Sequence, residues 1–174
     1  MSDLAAVRRA LRDVADFPLP GIVFKDITPV LADAELLATV VERLALPWRG
    51  AGITHVAAIE SRGFILGAPV ALALQAGFLP VRKAGRLPSH TRSVRYDLEY
   101  GSGELEIHSD ACGPASRVLV VDDVLATGGT AAAAGTLITQ LGASLEGFSF
   151  LLCLTALHGI DRLNGHRVES LIDA

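Results

Sequence analysis

The sequence predicts one α/β domain with a mostly parallel sheet flanked by helices. Three observations carry this. Strand and helix patterns alternate through the middle and end of the chain. The strands are continuous apolar runs, as in a sheet covered on both faces. The 174 residues, half of them apolar, fit one core and show no repeat, linker or low-complexity stretch.

Leu4, Val7, Leu11 and Val14 recur at helical spacing behind Ser2 or Asp3, so an amphipathic helix is expected first. The segment Asp16-Phe17-Pro18-Leu19-Pro20-Gly21 breaks it. Asp33 can cap a second helix bearing Leu36, Leu37, Val40, Val41 and Leu44, which Pro47 and Gly50 end. Thr54 to Ile59 reads as a buried strand, Gly63 to Gln75 as a helix and Phe78 to Arg82 as a strand. A polar stretch follows. Tyr96 to Tyr100 and Glu104 to His108, split by Gly101-Ser102-Gly103, form a hairpin signature. Arg117 to Val121 is a Val-rich strand, followed by a Gly-rich turn and an Ala-rich helix to Leu141. Leu145 to Leu154 supplies another strand, and Val168 to Ile172 a last edge.

The net charge of -4 argues against a general nucleic-acid binder. Between Arg82 and Arg95, however, five basic residues occur and no acidic one, a patch suited to a small phosphorylated ligand. Cys112 and Cys153 fit no metal or redox spacing and read as reduced thiols. The five histidines show no metal-ligand spacing. No signal-peptide pattern opens the chain and no apolar run approaches the ~20 residues of a membrane span. A cytoplasmic protein with neither nucleic-acid nor membrane partners is expected.

Ligands of open parallel sheets bind beyond the carboxyl ends of the strands. The most specific such segment is Val118-Leu119-Val120-Val121-Asp122-Asp123-Val124-Leu125-Ala126-Thr127-Gly128-Gly129-Thr130. Two carboxylates emerge where the strand ends, then small residues lead into a helix. Backbone N–H groups at a helix start form a phosphate site, and small side chains let the anion approach. Thr127 and Thr130 add hydroxyl donors. Adjacent carboxylates would repel that phosphate unless they face ribose hydroxyls or a nearby Mg²⁺. The combination reads as a ribose 5-phosphate site. It is not a Walker A loop, since no Lys follows its last glycine.

This segment resembles the phosphoribosyl pyrophosphate motif of the type I phosphoribosyltransferase family. The resemblance implies that Asp122 and Asp123 contact the ribose hydroxyls and that Ala126, Thr127, Gly128, Gly129 and Thr130 hold the 5′-phosphate. It also implies a 1–174 single domain of that fold, with an N-terminal hood (about 1–32) and a flexible β-hairpin lid (about 83–103).

Three further segments resemble the adenine-specific members. Asp16 to Leu31 resembles the hood, in which Phe24 stacks on adenine and backbone groups near Val23 and Lys25 read its edge. Glu60-Ser61-Arg62-Gly63-Phe64 resembles the pyrophosphate segment, implying Ser61 and Arg62 as ligands and often a cis peptide at Glu60-Ser61. Arg82 to Gly101 resembles the catalytic loop, implying that Lys83 and Arg86 meet pyrophosphate while Glu99 and Tyr100 close over the reacting atoms. The implied catalytic set is Glu99, Tyr100 and Arg62. The implied reaction converts adenine and 5-phosphoribosyl-1-pyrophosphate to AMP and pyrophosphate in purine salvage. Mg²⁺ is implied as cofactor, bound with phosphoribosyl pyrophosphate and with Asp122 as the candidate carboxylate to meet it, and a homodimer as the assembly. A regulator on the same fold would need a helix-turn-helix extension or a broad basic face.

Overall fold

The computed structural model describes residues 3–97 and 102–174. In chain order the elements are α1 (Asp3–Ala10), β1 (Arg12–Ala15), β2 (Val23–Asp26), α2 (Thr28–Ala32), α3 (Ala34–Ala45), β3 (His55–Ile59), α4 (Arg62–Ala73), β4 (Gly77–Lys83), β5 (Thr91–Asp97), β6 (Ser102–His108), β7 (Arg117–Leu125), α5 (Gly129–Gln140), β8 (Ser144–Cys153) and β9 (Arg167–Asp173).

Seven strands form one sheet in the order β5-β6-β4-β3-β7-β8-β9. Strands β4, β3, β7, β8 and β9 run parallel, and the antiparallel hairpin β5–β6 extends the edge beyond β4. The alternation along β7 explains the layering. Val118 and Val120 belong to the core beneath α5, whereas Leu119 and Val121 belong to the core beneath the other helices. Both sets are fully buried. On the second face α4 approaches β3 so closely that a Cβ on Gly67 would lie 2.4 Å from the Ala58 methyl carbon.

Asp33 caps α3 as expected, its Oδ1 accepting from the N–H of Glu35 at 2.9 Å and Leu36 at 3.1 Å. Three expectations need correction. The first helix stops at Ala10, and Val14 lies in β1, which pairs with β2 in a separate two-stranded sheet. The helical spacing of Val14 was coincidental with a strand whose partner lies eleven or so residues on. The last part of the polar stretch before Tyr96 is strand, because β5 runs from Thr91 and pairs with β6 along its length, while residues 84–90 form a turn. Strand β7 continues through Asp122 and Asp123 to Leu125, so the acid pair sits inside the strand and not after it. Cys112 and Cys153 are free thiols. Among the described residues, no helix is long and apolar enough to cross a membrane.

Candidate active site

The carboxyl ends of β3, β4 and β7 open into a cavity of about 700 Å³, roofed by the β1–β2 segment. On its floor, β7 hands over to α5 through Ala126, Thr127 and Gly128. Gly128 is the N-cap of α5, with φ +80° and no side chain to satisfy the first-turn N–H groups. Those donors are left for an anion. Gly128 is held there by the tail: its Cβ would meet the Gly159 carbonyl oxygen at 2.3 Å, and a Cβ on Gly159 would meet the Ala126 oxygen at 2.1 Å.

Beside the loop, Asp123 is 4% exposed and ion-paired to Arg62 Nε. The Asp123 N–H donates to Asp122 Oδ1 at 2.9 Å. Asp122 is wedged against the start of α4, where a Cβ on Gly63 would fall 2.6 Å from its Oδ1. Burial, and then the Asp123 carboxylate, pushes the Asp122 carboxyl well above the usual carboxylate range. An arrangement strained in this way suits hydroxyl donors or a cation close by.

The hood side is a hairpin. β1 and β2 pair antiparallel, with Asp16 Oδ1 closing the connection by accepting from Gly21 N–H at 2.7 Å. Phe17 meets Phe24 edge-on at 5.2 Å between centroids. The Arg62 guanidinium carbon lies 5.1 Å from the Phe24 ring centre, so one side chain spans the aromatic face and the acid pair. Lys25 is turned to Asp13, at 2.7 Å.

On the third side, the Glu60–Ser61 and Phe17–Pro18 peptides are cis. The Glu60 carboxylate, its side chain 7% exposed, pairs with Arg82 Nε at 3.1 Å and Arg86 Nη1 at 2.9 Å and accepts from Lys83 N–H at 3.0 Å.

Of the residues singled out from the sequence, Val23, Phe24, Lys25, Ser61, Arg62, Lys83, Asp122, Asp123, Ala126, Thr127, Gly128 and Thr130 line the cavity together. Gly129 begins α5 beneath it. Arg86 does not line the cavity and is engaged with Glu60 instead. Glu99 and Tyr100, and the hairpin tip between β5 and β6, lie outside the described residues.

A phosphoribosyl transferase domain model matches residues 31–163. An adenine phosphoribosyltransferase from Myxococcus xanthus is 56% identical over 97% of this chain and 92% of its own length. The chain belongs to the adenine phosphoribosyltransferase family. An enzyme of that name from Methylococcus capsulatus is 50% identical over 95% of the chain and 97% of its own length. The crystal structure of adenine phosphoribosyltransferase from Rhodothermus marinus superposes with a TM-score of 0.95 at 48% identity, covering 99% of both chains. That from Saccharomyces cerevisiae, complexed with D-2,5-dideoxy-2,5-imino-altritol 1,6-bisphosphate and adenine, gives 0.94 at 39% identity, covering 98% of this chain and 99% of the other.

The sequence reading of this phosphoribosyltransferase missed several lining residues. Leu154 and Leu157 come from the segment that follows β8, and Tyr96 from β5. Gly159, two residues beyond Leu157, was missed as well. Its role rests on a loop thirty residues earlier, and nothing local announces that.

Proposed function

We propose that the chain transfers the 5-phosphoribosyl group of 5-phosphoribosyl-1-pyrophosphate to adenine N9, giving AMP and pyrophosphate in purine salvage. The observation that carries this is the shared cavity. It brings the uncapped start of α5, the Asp122–Asp123 pair and the Phe24 ring together, as a phosphate, a ribose and a base in sequence would require. The relative from yeast, bound to adenine and a bisphosphate imino-sugar, supports the same assignment.

In this reading the amides and hydroxyls of Ala126 to Thr130 take the 5′-phosphate, and Asp122 and Asp123 accept from the ribose hydroxyls. Phe24 stacks on adenine while backbone groups of Val23 and Lys25 read its edge. The C1–oxygen bond to pyrophosphate breaks ahead of N9–C1 bond formation, and C1 carries positive charge in between. Ser61, Arg62, Lys83 and Arg86 stabilise the departing pyrophosphate. Arg62 must exchange Asp123 for this anion, and Arg86 must exchange Glu60; their side chains are 43% and 56% exposed and have room to turn. Glu99 manages the proton lost from the base, and Tyr100 helps keep water from C1.

Bound Mg²⁺ would add charge neutralisation at the pyrophosphate. Asp122, on the cavity wall beside Asp123, is the carboxylate that would meet it. The reading extends to a cytoplasmic homodimer, for which the exposed apolar residues Ile65 and Leu72 on α4 offer a face. Light scattering on the pure protein checks the assembly.

The deciding assay mixes purified protein, Mg²⁺ and phosphoribosyl pyrophosphate with adenine, hypoxanthine, guanine, xanthine or orotate in parallel. AMP from adenine alone is expected. Turnover of another base would keep the phosphate site and remove the adenine assignment.

A further inference from the structure

Among the described residues, a buried carboxylate on β6 has no part in the proposed chemistry. Glu106, in β6, is 5% exposed. Its Oε1 accepts from Arg86 N–H at 2.8 Å and Leu87 N–H at 2.7 Å, and Oε2 accepts from Thr91 Oγ1 at 3.3 Å. Burial alone would raise its pKa, but the N–H groups of Leu87, Arg86 and Gly85 outweigh this and hold it below the usual carboxylate range. Two consecutive amides therefore converge on one carboxylate oxygen. Gly85, at φ +79°, makes the concavity possible. Such nests of backbone N–H commonly bind phosphate. Here the protein's own side chain takes the Arg86 and Leu87 N–H groups, so those two amides are not offered to a ligand.

The same turn is gripped from the other side. Glu60 takes the Arg86 guanidinium and the Lys83 N–H, and Arg82 Nη1 donates to the Arg86 carbonyl at 2.9 Å. Beyond the turn, the His108 ring meets the Pro88 oxygen at 2.6 Å. Arg86 is thus fixed through its backbone by Glu106 and through its side chain by Glu60. The Glu60 contact is an ion pair on a half-exposed guanidinium, which an incoming anion can replace. The Glu106 contacts are buried hydrogen bonds to backbone, which it cannot.

We propose that Glu106 is a positioning residue for the leaving-group site, a buried carboxylate that folds the 84–90 turn around itself so that Lys83 and Arg86 stand ready for pyrophosphate. The inference rests on the functional reading above. Releasing the turn would leave both cations present but unplaced, a loss felt by pyrophosphate and hardly by adenine.

The test uses the full chain carrying Glu106→Ala, Glu106→Gln or Gly85→Ala. The readouts are KM for each substrate, kcat and the calorimetric affinity for inorganic pyrophosphate with Mg²⁺. Glu106→Ala should weaken pyrophosphate binding and raise KM for phosphoribosyl pyrophosphate about tenfold, with KM for adenine within about twofold. Glu106→Gln keeps an acceptor for both amides and should recover most of the loss. Gly85→Ala strains the turn without touching the core, since a Cβ there meets nothing within 4 Å. It should reproduce the selective defect even where Glu106→Ala does not fold. Unchanged pyrophosphate affinity in folded Glu106→Ala or Gly85→Ala would overturn the proposal. So would equal losses for both substrates, or a glutamine variant as impaired as alanine. A wild-type protein that binds pyrophosphate but makes no AMP would instead count against the functional reading, and the affinity series would still decide the role of Glu106.

Discussion

At the phosphate loop, a methyl group on Gly128 would press within 2.3 Å of the Gly159 oxygen, and one on Gly159 within 2.1 Å of the Ala126 oxygen. At the hood, on the other side of the same cavity, Phe17, Leu19 and Val23 are 51%, 49% and 51% exposed. The hood strands are tied there by the ion pairs Arg12–Asp26 and Lys25–Asp13. The first region is backbone packed on backbone, continuous with a core strand and helix. The second is a two-stranded hairpin lying outside the main sheet, fastened largely by surface groups. The difference teaches where tolerance lies. A phosphate site needs amides fixed to fractions of an ångström, whereas a base cover must admit and release its ligand.

If that contrast is right, the largest loss follows Gly128→Ala. Its Cβ must displace the Gly159 backbone, and φ +80° is unfavourable for any residue with a Cβ. We expect kcat/KM for phosphoribosyl pyrophosphate to fall about 10²-fold in steady-state assays. Near-normal turnover would break the comparison. Gly159→Ala sharpens it, because this residue lies outside the phosphate motif yet should act on the same substrate. A fall of roughly tens-fold in kcat/KM for phosphoribosyl pyrophosphate is expected, measured in the same assay.

On the hood side the effects should be smaller and should move to the other substrate. Phe24→Ala removes the aromatic face and should raise KM for adenine about fivefold to tenfold, with pyrophosphate affinity by calorimetry unchanged. The smallest effect concerns Asp26. The Thr28 N–H first, then Arg12, lower its pKa from 3.8 to about 2. A depressed carboxyl stabilises the fold above its unfolded pKa and loses that contribution as pH falls through the folded value. Wild type should therefore melt slightly above Asp26→Asn at pH 7, and the gap should close between pH 3.8 and about 2. Parallel thermal melts across that range test it; a gap that widens on acidification would show the sign to be wrong.

How far the sequence could be read follows the distance over which each feature is decided. The acid pair, the small-residue loop and the first two residues of the helix behind it fall within thirteen consecutive positions from Val118 to Thr130, and their juxtaposition was legible there. The Asp33 cap was equally local. Val14 was misread because a helical spacing continued past Ala10, while the strand that claims it, β2, begins at Val23. The stretch from Thr91 looked polar because β5 is an edge strand whose pairing to β6 is set across the turn. Arg86 belongs to the basic segment read from the sequence, yet its present partner Glu60 lies on another strand's end, 26 positions away.

The sequence by itself determined the layers of the molecule and the local make-up of the acid pair and its glycine loop, because hydrophobic period, helix capping and small-residue loops act within a few residues of one another. The tertiary structure alone decided which carboxylates hold the machinery in place. Glu60 and Glu106 look like ordinary surface acids in the chain, and become anchors only when sheet packing strips them of water and obliges nearby amides and guanidinium groups to replace it. Gly159 reaches the Ala126–Gly128 loop by the same logic: the fit exists only once the tail has closed over the end of β7.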